Sequence, residues 1–190
     1  MRTIALLLLV SLNGCVPVIK IINGFHHPKP EDKESLIHYL KKKNINADNI
    51  LVYSDSINYK KKFYEIRSVP EMQVFNADGT LIYYRDTAAG CSAPAYEFTT
   101  MICSAGDLMS NPSKTITLET KNLLTLDNKP FVISKDGNYD FYVFIYWARF
   151  LGRLNKVKTK VWENNLKNVK GCKVLVYKVD MDWQKKWNEK

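Results

Sequence analysis

The chain has 190 residues, 46% apolar and 25% charged. With no low-complexity tract and no heptad repeat, that is ordinary globular composition, enough for one large domain or two small ones. The formal charge of +9 is uneven: residues 16–103 carry 11 basic and 10 acidic side chains, residues 104–190 carry 16 and 9. A solvated lysine-rich surface accounts for this surplus. There is neither zinc-type Cys/His spacing nor the aromatic-interleaved basic pattern of an RNA-binding sheet, so no nucleic-acid partner is expected.

Met1 and Arg2 precede an apolar run over residues 4–12. One positive charge followed by a run too short to cross a bilayer reads as a cleaved signal. Leu12-Asn13-Gly14-Cys15 then resembles the lipobox of bacterial lipoproteins, with Asn13 departing from the usual small or β-branched residue. The resemblance implies that residues 1–14 are a signal peptide, that cleavage exposes Cys15 for diacylation, and that the protein is held by lipid on the bacterial cell envelope, facing the periplasm. An ordinary signal peptide cut nearby is the competing reading. Acyl chains anchor well because each buried methylene contributes about 0.8 kcal/mol. Residues 16–22 already read as a strand, which would keep the body close to the bilayer.

After that strand, Pro30-Glu31-Asp32-Lys33-Glu34 opens a helix, with proline and acids in its first turn. Leu36, Ile37 and Leu40 form its apolar face, and Lys41, Lys42 and Lys43 close it. A strand over 50–53 and a short helix over 59–66 follow. Ser68-Val69-Pro70 leads into a strand over 71–75, and Asp78-Gly79 marks a hairpin into 81–84. A helix over 93–103 starts at Ser92, with Pro94 in its first turn.

Residues 104–114 read as a linker rich in Gly, Ser, Asn and Pro. Beyond it, short strands are predicted over 115–118, 123–126 and 130–133. The strongest strand signal is 141–147, followed by a helix carrying Leu154, Val157 and Val161 on one face and a buried strand over 173–179. Residues 15–103 and 115–190 are therefore expected as two units. Trp183 and Trp187, one turn apart on a charged tail, mark a contact surface.

The segment Tyr64-Glu65-Ile66-Arg67-Ser68-Val69-Pro70-Glu71-Met72-Gln73-Val74-Phe75-Asn76-Ala77-Asp78-Gly79 resembles the second half of thioredoxins, where a short helix leads through Val-Pro into a strand and an acidic-Gly hairpin. The resemblance implies that Pro70 is the cis-proline beside the active site. It also places the redox motif at Phe25-His26-His27-Pro28-Lys29, with His26 and Lys29 in the two cysteine positions. The segment Phe144-Ile145-Tyr146-Trp147-Ala148-Arg149-Phe150-Leu151-Gly152-Arg153-Leu154 is similar to the start of membrane-anchored thiol-disulfide oxidoreductases, with Leu151 and Leu154 where the cysteines stand. The implied fold class is α/β: a thioredoxin-like central mixed sheet flanked by helices, built from two incomplete βαβ-containing units.

Dithiol exchange needs a thiolate and a second thiol to resolve the mixed disulfide, and neither segment supplies them. Of the cysteines beyond Cys15, Cys91 sits near a helix start and could carry a reactive thiol; Cys103 and Cys172 are expected as small buried hydrophobes. A Cys91–Cys103 bridge competes with the 93–103 helix, which would separate the two by roughly 15 Å. His26, His27 and Lys29 precede a helix start, where an anion could bind. Arg149, Arg153, Lys156, Lys158 and Lys160 form a basic cluster, read as a solvated face. No metal or cofactor is expected. The preferred reading is a redox-inactive, lipid-anchored module that binds a periplasmic protein or peptide. The alternatives are an enzyme using Cys91, or His26 with Lys29, and a purely structural envelope lipoprotein.

Overall fold

Residues 141–147, the strongest strand signal, lie in the middle of a seven-stranded mixed sheet in a computed structural model of the protein. The structure describes residues 24–45, 47, 49–66, 68–84, 93–104, 108–133 and 137–188. The signal segment, Cys15, the strand expected at 16–22 and Cys91 lie outside them. In chain order the elements are α1 (Lys33–Lys43), β1 (Ile50–Tyr53), α2 (Ser56–Ile66), β2 (Glu71–Asn76), β3 (Thr80–Ile82), α3 (Ala93–Met101), β4 (Ser110–Thr115), α4 (Ile116–Thr120), β5 (Leu123–Thr125), β6 (Phe141–Trp147), α5 (Lys160–Asn168) and β7 (Val174–Asp180).

The strand order is β4-β3-β2-β6-β7-β1-β5. β6, β7 and β1 run parallel; β2 is antiparallel to β6, with Glu71 opposite Tyr146 and Asn76 opposite Phe141. Strands from both halves of the chain thus share one sheet. Alternation of side chains divides its core into two faces. Val143, Ile145 and Trp147 of β6 face α3, α5 and α1, which bury Phe98, Trp162, Leu36 and Leu40 there. Tyr142, Phe144 and Tyr146 face the other way, toward Ile66 at the end of α2. Being covered on both faces is why β6 reads as an unbroken apolar run.

Local chemistry sets the element ends. The Asp32 carboxylate accepts the Ser35 amide at 2.8 Å, capping α1, and Asn44 closes it in the left-handed region at φ 51°. The helix therefore starts after Pro30 and Glu31 rather than at Pro30. Asp55 caps α2 through the amides of Ile57 and Asn58, at 3.0 and 2.8 Å. Gly79 turns the β2–β3 hairpin at φ 78°, and a Cβ there would stand 2.6 Å from Ile116 Cγ2.

Several expectations are corrected. Residues 110–114, the end of the expected linker, form β4 together with Thr115. It pairs with β3 at the sheet edge, and its polar, largely exposed side chains give no apolar signal. Residues 116–120 are helical, not extended, because the Thr115 hydroxyl caps the turn by accepting the Leu118 amide. Residues 130–133 make one isolated bridge, Pro130 with Leu124, and no strand. The helix after β6 begins as a short 3-10 turn (Arg149–Leu151) and a π turn (Asn155–Thr159) before α5.

Cys103 and Cys172 are not separate small hydrophobes. They form a disulfide with α-carbons 5.4 Å apart, tying the end of α3 to the entry of β7. Trp183 and Trp187 do not present a free surface: their rings meet edge to face at 5.1 Å and both pack on Tyr59, at 5.7 and 5.2 Å. Among the described residues, no helix is long and apolar enough to cross a membrane.

Candidate functional site: the corner beside Pro70

Pro70 is buried, and its bond to Val69 is cis. β2 starts at the next residue, so the register of Glu71 opposite Tyr146 carries Ser68, Val69 and Pro70 alongside the end of β6. There the chain leaves the sheet through Ala148 into the Arg149–Leu151 turn. Two segments some 80 residues apart in sequence therefore meet at one corner. Val69, Leu151 and Leu154 belong to one apolar cluster, which also holds Phe25 and Phe150.

The turn is held from several sides. The Leu151 amide and Asn155 Nδ2 both donate to the Ala148 carbonyl, at 3.2 and 2.7 Å. The His26 amide donates to the Phe150 carbonyl at 2.9 Å, which joins the two cysteine-less segments through their backbones. The side chains of His26 and His27, with Pro28 and Lys29, are exposed. The strand next to β2 is β6, so the Ser68–Pro70 segment lies on the side of the turn that follows β6, where Leu151 and Leu154 share a cluster with Val69. The start of α1 is filled by its own Asp32 carboxylate, which Lys185 also contacts, so His26, His27 and Lys29 do not face open helix amides.

Beneath the turn lies a group of acids that the sequence reading missed. Asp180, the last residue of β7, and Asp182 are 1% and 2% exposed; Glu31 is 6% exposed. The Arg149 amide donates to Asp182 Oδ2 at 2.6 Å, and the Arg149 guanidinium binds Glu31 and donates to Ser35 Oγ at 2.8 Å. Gln184 Nε2 donates to Asp180 Oδ2 at 3.0 Å. Burial, reinforced by the charge of Asp182, pushes the Asp180 carboxyl well above the usual carboxylate range; burial also raises Asp182, against the pull of the Arg149 amide. Both shifts favour the protonated carboxyl, more strongly at Asp180 than at Asp182. The visible signal was Asp-x-Asp closing an apolar strand, a pattern that buries carboxyls at the carboxyl end of a sheet. Arg149, read as part of a solvated basic face, instead spans this group and lies over the Tyr39 ring at 4.9 Å.

No protein-family model matches the chain, and no curated protein and no solved structure is significantly similar to it. The chemistry must be read from the geometry alone. Among the described residues, the apolar cluster at the corner contains no cysteine. The Cys103–Cys172 disulfide lies by Val174, where β7 begins, whereas the corner adjoins the far end of β6. A seven-residue strand separates them by roughly 20 Å. Among the described residues, the corner offers backbone and apolar contacts.

Proposed function

We propose that the protein is a redox-inactive thioredoxin-like module, exported and lipid-anchored at Cys15, that holds an extended peptide segment at the corner formed by Val69, Leu151 and Leu154. The observation carrying this reading is the register of β2 against β6, which brings the Ser68–Pro70 segment alongside the turn holding Leu151. The first half of the chain resembles the later half of a thioredoxin and the second half resembles its beginning. Their union in one sheet supports a thioredoxin-like layout with its halves exchanged in chain order. An exposed Ser68 and a half-buried Val69 over an apolar cluster suit an extended peptide, held by main-chain hydrogen bonds and side-chain pockets. A disulfide joining Cys103 to Cys172 forms in an oxidising compartment, which supports export.

The test uses reduced, carboxymethylated α-lactalbumin as an extended-polypeptide probe. The parent protein is expected to bind it, and Val69→Lys, with an unchanged circular dichroism spectrum, to lose binding. Insulin reduction by the parent protein, or probe binding indifferent to Val69→Lys, would overturn the reading. Palmitate labelling tests the anchor, and an unlabelled Cys15 removes it.

A further inference from the structure

A second site lies on the α2 side of the sheet and is independent of the corner beside Pro70. A cleft of about 440 Å³ opens between α2, α4 and β4. At its floor the Lys62 ammonium, 5% exposed as a residue, donates to Gln73 Oε1 at 2.9 Å and to Glu119 Oε2 at 2.5 Å, with Glu65 Oε2 at 3.5 Å. The Tyr146 hydroxyl donates to the other oxygen of Glu119 and lies 3.0 Å from Gln73 Oε1. Lys114 Nζ holds the remaining Glu65 oxygen at 2.5 Å. Both carboxylates in the cleft are therefore neutralised by lysines.

Two groups are left over, and both are donors. Tyr53 is 3% exposed, and its phenol oxygen has no hydrogen-bond partner among the described residues. Burial, with Glu119 and Glu65 nearby, pushes its pKa far up, so the phenol stays protonated beside them. Lys61, exposed at the rim, has no ion-pair partner among the described residues. Three lysines against two glutamates leave one positive charge uncompensated. Buried hydroxyls without partners are rare, and one lining a cleft with spare donors marks where a ligand's acceptor belongs.

We infer that this cleft binds a small organic carboxylate, taken up by the Tyr53 hydroxyl and the Lys61 ammonium. The carbon part of the ligand lies against Phe75 and Leu81, which line the same cleft.

The full-length ¹⁵N-labelled protein is titrated with acetate, succinate and citrate, and with succinamide as the neutral control. At least one carboxylate is expected to give saturable shifts in the amides of residues 58–65 and 113–119, and succinamide to bind at least about tenfold more weakly than succinate. Tyr53→Phe and Lys61→Gln should each weaken binding by about tenfold or more. Tyr53→Phe keeps the ring and removes a hydroxyl with no partner to lose, so it should melt no lower than the parent; that separates lost binding from lost folding. No saturable shift with any of the three carboxylates would overturn the inference. So would succinamide binding as well as succinate, or unchanged binding by Tyr53→Phe.

Discussion

The Asp180 carboxyl, buried at the last residue of β7, accepts the Asp182 amide two residues on through Oδ1 at 3.2 Å. This couples the end of the sheet to the Arg149–Leu151 turn, because Asp182 is also the acceptor for the Arg149 amide. The upward shift of the Asp180 carboxyl links stability to pH at the base of the candidate site.

The sign follows from the direction of the shift. Asp180 titrates near 3.9 when unfolded and well above that when folded, so its contribution is complete below the unfolded value and is lost as pH rises through the folded one. The urea midpoint of the parent protein should fall as the pH rises above the ordinary carboxylate range. Asp180→Asn, which keeps a donor toward Asp182 and cannot ionise, should flatten that fall. Parallel pH profiles for the two proteins would show that Asp180 does not hold the proton.

The Cys103–Cys172 bridge closes a loop with a sequence separation of 69. Chain entropy alone assigns such a loop about 4 kcal/mol. The double variant Cys103→Ala/Cys172→Ala should lose stability of that order in urea unfolding, with the loss felt by α3 and the entry to β7. Thiol titration of the folded, unreduced protein should find neither cysteine reactive. Reactive Cys103 or Cys172 would contradict the pairing.

Gly79 tests the hairpin against α4. A side chain there is strained by φ 78° and pressed against Ile116 Cγ2. Gly79→Ala should cost about 1 kcal/mol from the backbone alone, and more from the contact. Ile116→Ala in the same chain should recover the contact part and leave the backbone part. Equal stabilities of Gly79→Ala and the parent would mean that the turn is not held in this conformation.

How much of this architecture is legible in the sequence depends on whether a segment carries its own signal. β6 is apolar on both faces and capped by nothing polar, and its bounds match the sequence reading. The Asp78-Gly79 turn and the lysine-closed α1 also follow from local chemistry. β4, by contrast, is a polar edge strand stabilised only by its pairing with β3, and nothing in Ser-Asn-Pro-Ser-Lys-Thr marks it as extended. α4 carries β-branched residues and is helical because Thr115 caps it. The meeting of Val69 with Leu151 and the pairing of Cys103 with Cys172 are products of topology, joining segments that no local pattern links. Asp180 and Asp182 were in view, but only the sheet shows that they are buried together.

The Lys178–Glu163 pair gives the sharpest energetic test of the α5 side of the sheet. Lys178 Nζ lies 3.2 and 3.3 Å from the two Glu163 oxygens, and the residues are 2% and 8% exposed. Removing one partner weakens the compensation of the other's buried charge, whereas replacing both with apolar groups removes the desolvation penalty along with the attraction. Glu163→Leu and Lys178→Met should each destabilise, by at most about 3–5 kcal/mol, and the double variant should cost less than their sum. Lys167 also reaches Glu163, at 2.7 Å from a half-exposed position, so losing Glu163 frees that ammonium to water at little expense. The asymmetry should therefore lie with Lys178→Met, which leaves Glu163 with Lys167, as the milder single change. Strictly additive costs in urea unfolding would mean that the two groups do not interact across the interface between α5 and β7.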